Sequence, residues 1–481
     1  MIRDGGMQTR WLFPCLLISF CAIYALYYPA TYGIEDECNI LQLSYGLSHG
    51  TIFPDHAGPG AGLPVNGHKV SKFSVFHAAL IAPAWKFDWR LSFLVAAAFF
   101  VIGAFVIRAW LRREKMNGDW SALYFLLAGA LYYTQSVMAA VPAASAGLIG
   151  ASLLMRESPR ALLAGVALGA SVLLHPWMAP FVAMLSVVWL LERPSVDRIE
   201  NARWLLAGAL GPIVLLALYN FATTGNPVRN VYTMLEHQAS FTGSRFLSFF
   251  PFYLASLAIF PLAGWAVFSP KWASGWAIPA ASATALLLAS MYYYRDGLNV
   301  SSAHAGSLAA FVAGAIPGQR FLIPVSIVAC IPAARFLDSY SEVAPRWVID
   351  CARPLALVGF ISGFSLLSAA HQSYLRAHAA VQTALCQAIP ASARVTISDE
   401  VLKHMAPSCK VFQRVESERA DQIPPADSFT VWLGEPGIPP PQKWIAQRES
   451  KSFQIRSWIW NRDLWISMPA QASAVTNGNP G

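Results

Sequence analysis

Three consecutive carboxylates, Glu35-Asp36-Glu37, follow the first long apolar run of the chain, residues 11–30. Charge at the mouth of a membrane helix is costly unless it has a partner or a task. One task suits the residue type: a carboxylate held at the membrane face can take a proton from a hydroxyl where lipid-borne and aqueous reactants meet. The structural alternative is that the acids cap a surface helix, whose dipole favours negative charge at its start. Asp36 is the candidate base, with Glu35 and Glu37 as second choices. Cations follow in Gly67-His68-Lys69-Val70-Ser71-Lys72-Phe73-Ser74-Val75-Phe76-His77 and in Pro317-Gly318-Gln319-Arg320-Phe321-Leu322-Ile323-Pro324. Such groups could stabilise a phosphate whose charge grows during bond breaking, or simply meet lipid head groups. Arg295, beside Asp296 and so open to a local ion pair, joins them as a candidate, as do Arg245 and His304.

The elements that must position these groups are membrane helices. Of 481 residues 56% are hydrophobic and only 12% charged, about half the charged share of a soluble protein. The net charge of +8 comes from Lys and Arg spread among loops, which argues for membrane orientation and not for nucleic acid. Seven Cys form neither a CxxC pair nor a cluster with zinc spacing. After the first helix, spans are expected near 91–111, 121–135, 139–155, 161–174, 177–191, 204–219, 249–268, 273–293, 321–336 and 354–370, about eleven in all. A single helix over 121–155 would be roughly 52 Å long against a core of about 30 Å, so two short helices hinged near Ser136 and Pro142 are predicted. From Asp36 onward, Ile40, Leu43 and Leu47 recur at helical spacing, which predicts a short helix along the membrane surface. The apolar stretch ending near Trp85 is too short to cross and reads as another interfacial helix.

Basic residues set the orientation. Alternate connections hold Arg108, Arg112, Arg113 and Lys115, then Arg156 and Arg160, then Arg193, Arg198 and Arg203, then Lys271, and finally Arg335, Arg346 and Arg353. The short connections around Ser136 and His175 hold none. The first set and the N-terminus are therefore expected in the cytoplasm, and the acidic loop outside. Domain 1–370 is thus expected to be polytopic with a large external loop, 31–90. Residues 371–481 should form a small extracytoplasmic α/β module with a disordered end after Pro469. In it a helix carries Leu375, Val381 and Leu385, strands are expected at 393–398, 410–412 and 429–433, a short helix at 399–405, and a strand or hairpin at 453–466. Cys386 and Cys409 lie in this module, and an oxidising exterior would let them pair.

Asp36-Glu37 shortly after the first transmembrane helix, followed by an amphipathic stretch, resembles the GT-C superfamily of polyprenyl-phosphate-dependent glycosyltransferases. Bacterial aminoarabinose transferases and protein O-mannosyltransferases belong to it. The resemblance implies that Asp36 acts as base and Glu37 as a supporting or metal-associated acid. Residues 71–77 are similar to the family's Lys-Pro-Pro-Leu-type segment, although both prolines are missing here. That implies Lys72 faces the donor phosphate, with His68 and Lys69 able to serve the same charge. Arg320-Phe321-Leu322-Ile323-Pro324 resembles the Arg-Tyr/Phe-Leu-x-Pro opening of a late membrane helix, which implies a second phosphate ligand in Arg320. The implied partners are a polyprenyl-phosphate-linked sugar and a lipid, glycan or protein acceptor, and the implied reaction inverts the sugar. Dependence on a divalent metal ion varies within the superfamily, so none is assigned.

Two other classes compete. A transporter or flippase of a lipid-linked or small anionic substrate would need ionisable residues near the bilayer midplane, and few lie within the expected spans. A scaffold protein with a degenerate site would fit the missing prolines beside Lys72.

Overall fold

The structure is a computed structural model and describes residues 11–29, 31–53, 63–65, 67–71, 73–229, 239–241, 243–259, 261–294, 319–341, 343–390, 393–398, 415–417, 423–446, 448–456 and 461–469. The chain divides into two compact units. One comprises Met1–Leu26 and Phe93–Leu367, the other Tyr27–Ser92 and Ser368–Gly481.

The first unit is a bundle of apolar helices. Among the described residues, four helices are long and apolar enough to cross a membrane: Trp89–Arg113, Ser195–Thr224, Gln319–Ser341 and Asp350–Ala388. Shorter apolar helices stand among them, including Leu12–Leu26, Ala140–Leu154, Ala161–Leu174 and Ala277–Met291. Ala140–Leu154 is buried on nearly every face, as is the run from Ile323 to Ala334. Phe20 stacks on Phe100 at 4.9 Å and on Phe364 at 5.4 Å, so large rings fill the gaps between helices. The outer helix Ser195–Thr224 is the reverse of a soluble amphipathic helix. Trp204, Leu206, Leu210 and Leu218 point outward, while Gly208 and Asn220 are buried. Lipid accepts that arrangement, and small residues let helices approach. A Cβ on Gly208 would strike the Leu162 carbonyl, and one on Gly165 the Leu205 carbonyl.

Two expected spans are built differently. Residues 121–135 form a 3-10 turn, Gly118–Ser121, and two short helices, Ala122–Phe125 and Ala128–Thr134, none of which can cross alone. The break before Ala140–Leu154 falls beside the expected hinge at Ser136. The stretch 249–268 ends its helix at Ile259 and resumes as the 3-10 turn Gly264–Phe268, with Ala263 at a φ of 53° between them. Pro261 and this left-handed residue break the helix there.

The basic connections do gather. Arg335 forms a bidentate pair with Glu114 at 2.9 and 2.5 Å, and its other nitrogen donates to the Trp272 carbonyl. Arg353 pairs with Asp119 at 3.4 Å, and Arg113 donates to the Ser152 carbonyl. Burial raises the Asp119 carboxyl above its ordinary value, opposed by Arg353, Arg108 and Arg112.

The second unit holds the helix Glu35–Ser48, the strands Leu63–Val65 and His68–Val70, the helix Val75–Ile81 and a sheet at the C-terminal end. The sheet order is Val415–Ser417, Val395–Ile397, Phe429–Gly434, Arg462–Ser467, Ser450–Ile455; the first three run parallel and the last two join antiparallel. Val381, Leu385 and Ile389 cover it, packing on Val395, Ile397, Val431, Leu464 and Ile466. The strands expected at 393–398 and 429–433 are present, and 453–466 contributes to a hairpin. The helix expected at 399–405, the strand at 410–412 and the end after Pro469 lie outside the described residues.

A helix expected to end near 370 and restart does neither. Arg346–Ala388 is one helix of 43 residues, about 64 Å long, so it exceeds the hydrocarbon core. Its composition turns polar without any helix-breaking residue after Pro354. Cys386 is disulfide-bonded, and Cys409 lies outside the described residues.

Candidate functional site

The acids sit in the first turn of Glu35–Ser48. The residue before the helix, Ile34, has extended backbone but no oxygen with which to cap it. Glu37 supplies the missing acceptor from inside: its Oε2 takes the Gly33 N–H at 2.8 Å and the Ile34 N–H at 3.3 Å. This is the glutamate half of a capping box, and it places negative charge where the helix dipole favours it. Glu37 is buried, Asp36 is half-buried, and the Glu35 side chain lies outside the description. Two adjacent acids thus stand in different environments, one committed to backbone amides and one nearer the surface.

The helix is not an exposed amphipathic strip. Cys38 through Ser44 are all buried, including Asn39 and Gln42. Tyr32 is fully buried just ahead of it. Burial pushes its phenol well above the ordinary value, reinforced by Cys38, which it hydrogen-bonds, and by Glu37, so it stays neutral. Its ring meets Trp89 edge to face at 6.4 Å. Trp85 donates from Nε1 to Ser44 Oγ at 2.9 Å and packs on Tyr45, joining the helix to the end of the first loop. The strap before the helix is anchored by distant residues: Thr31 Oγ1 donates to Gln382 Oε1 at 2.8 Å, and Tyr374 Oη to the Gly33 carbonyl at 3.0 Å.

The cationic candidates have separate supports. Val65 pairs with His68 across a two-residue turn, where Gly67 takes a φ of 83° that favours glycine. This hairpin places His68 exposed, its ring stacked 4.4 Å from Phe53. Lys69 sits opposite Pro64 in the same pair, its side chain outside the description. Lys72 itself lies outside the described residues, but both neighbours are tied down. Phe73 N–H donates to Ser71 Oγ at 3.0 Å, and Ser74 Oγ caps Val75–Ile81 by accepting from His77 N–H at 3.3 Å.

Arg320 belongs to the first unit, in the 3-10 turn Gln319–Leu322 that opens Ile323–Ser341. Its guanidinium lies 4.8 Å over the Phe321 ring, which packs 5.0 Å from Trp177. Arg295, His304 and the Arg245 side chain lie outside the described residues. The structure therefore brings the acidic helix and the strap before it together with Trp85, Trp89, Tyr374 and Gln382. Reading the sequence missed the last two, whose only signal is polar residues at helical spacing in the polar end of a long helix. Among the described residues, no group of three or more His, Cys, Asp or Glu could hold a metal ion.

No family model and no curated protein matches this chain. Solved structures do. ArnT from Cupriavidus metallidurans in the apo state is similar with a TM-score of 0.52 at 13% identity, over 96% of this chain and 98% of that one. The structure of ArnT from the same organism bound to undecaprenyl phosphate gives 0.53 at 11% identity, over 95% and 98%. The chain thus shares the fold of ArnT, and its long apolar helices make it an integral membrane protein.

Proposed function

We propose that this protein is a membrane glycosyltransferase that moves a sugar from a polyprenyl-phosphate donor to a lipid, glycan or protein acceptor outside the cytoplasm, inverting the anomeric centre. The observation that carries the reading is a half-buried acid, Asp36, on the first turn of the helix after the first membrane helix, in a chain with the ArnT fold from end to end. A neighbour with that fold binds undecaprenyl phosphate, which supports a polyprenyl lipid as the donor's carrier.

In this mechanism Asp36 takes the proton from an acceptor hydroxyl. The freed oxygen attacks the anomeric carbon from the face opposite the lipid phosphate, and the bond from carbon to phosphate oxygen breaks. The departing phosphate gains negative charge, which Lys72 and Arg320 stabilise. His68, Lys69 and Arg295 are the reserve cations for the same charge, and Glu35 is the reserve acid. Glu37 holds the helix start that presents Asp36. The basic connections mark the cytoplasmic side, so the acidic helix and the C-terminal module face outward. The Cys386 disulfide supports an oxidising compartment for that module.

The test is to incubate the purified protein in lipid with a series of undecaprenyl-phosphate sugars and a cell-envelope extract. Free undecaprenyl phosphate should appear as the sugar reaches an acceptor. Sugar-lipid that crosses the bilayer intact, with no lipid phosphate released, would replace transfer by transport.

A further inference from the structure

The part of Arg346–Ala388 that belongs to the second unit carries polar groups at Ser368, His371, Tyr374, His378 and Gln382. Steps of three and four residues put them on one face of the helix. Four of the five are buried, and buried polar groups are costly unless they meet partners. Two of them meet the strap that leads into the acidic helix. Gln382 Oε1 accepts from Thr31 at 2.8 Å, and Tyr374 Oη donates to the Gly33 carbonyl at 3.0 Å. Gly33 is also pressed from the same side: an added Cβ would stand 2.9 Å from Tyr374 Cε1 and 3.0 Å from Leu375 Cδ2. The amide of Gly33 donates to Glu37 at 2.8 Å. One residue therefore links Tyr374 through its carbonyl to Glu37 through its N–H, three positions before Asp36. Ile34 cannot cap the helix, so its start depends on these links.

We propose that Tyr374 and Gln382 are positioning residues, which fix the strap Thr31–Gly33 and through Gly33 and Glu37 set the place of the Asp36 carboxylate. The C-terminal helix then belongs to the acid site and is more than a support for the sheet. The ordering of the strap stands on geometry alone, whereas its effect on turnover rests on reading Asp36 as the base.

The experiment is amide hydrogen exchange on the full chain in lipid nanodiscs, with Tyr374→Phe, which deletes only the hydroxyl, and Gly33→Ala, which crowds the strap against Tyr374 and Leu375. Peptides covering 31–38 should exchange about fivefold faster in both variants, with 140–154 unchanged. Unchanged exchange at 31–38 overturns the proposal, as does equal acceleration at 140–154. In the undecaprenyl-phosphate release assay, Tyr374→Phe should lower kcat by a similar factor and leave KM alone; an unchanged kcat beside faster exchange overturns the link to Asp36. Should wild type release no lipid phosphate, the reading of Asp36 fails, and exchange alone decides the positioning role.

Discussion

Glu37 Oε2 accepts two backbone N–H groups and is buried, while Asp36, one position earlier, stays half-buried. The difference gives each acid its own expected phenotype. Glu37→Ala should destabilise the helix start by about 1–2 kcal/mol, and Glu37→Gln, which keeps an acceptor, by less; thermal melting in lipid measures both. A second carboxylate offers a pH test. Asp463 accepts from Gly437 N–H at 2.8 Å and pairs with Arg456 at 2.9 Å, and in that order these hold its carboxyl below the ordinary carboxylate value. A pKa depressed by folding stabilises above the unfolded value of about 3.9, and the benefit is lost as pH falls through the folded value. Asp463→Asn should therefore lower the melting temperature of the second unit at pH 7, with the deficit shrinking as pH drops below about 4. A deficit independent of pH would assign Asp463 a steric role. The acids and Arg320 were legible as residues, because charge beside apolar runs stands out. Tyr374 and Gln382 were not, since 351 residues separate Thr31 from its partner and no local pattern foretells that pairing.

Apolar content foretold where the apolar helices lie, but not how many are long enough to cross or where they break. Arg346–Ala388 stays helical through its change from apolar to polar because nothing after Pro354 interrupts the hydrogen bonding. Residues 121–135 split because Leu126 and Leu127 leave helical geometry between the two short helices, and neither Pro nor Gly stands at that break. Two signals at this scale were present in the sequence. Asn66-Gly67 is a strong hairpin signal in the sequence, and Val65 and His68 on either side of it do pair. Gly165-Val166-Ala167-Leu168-Gly169 is a small-residue stripe, and its first glycine meets Leu205 while its last meets Pro212. Gly208, facing Leu162 across the same crossing, makes the matching prediction. Gly208→Val should force the helices Ala161–Leu174 and Ser195–Thr224 apart and cost about 1–3 kcal/mol, read as a lower melting temperature in lipid. An unchanged melt would show that the crossing is loose.

The whole chain shares its fold with ArnT despite 11–13% identity, because what is held in common is an apolar pattern and a topology more than a set of residues. The apolar pattern was readable from composition, whereas the proposed chemistry rests on a few side chains in the first loop and on Arg320. The proposed sugar transfer requires one of them to take a proton. The most direct measurement compares purified wild type with Asp36→Asn, both reconstituted in lipid, by the release of free lipid phosphate from a polyprenyl-phosphate sugar. Release should fall about 100-fold or more in the variant, with membrane insertion and melting temperature unchanged. Release at the wild-type rate from Asp36→Asn would contradict the account.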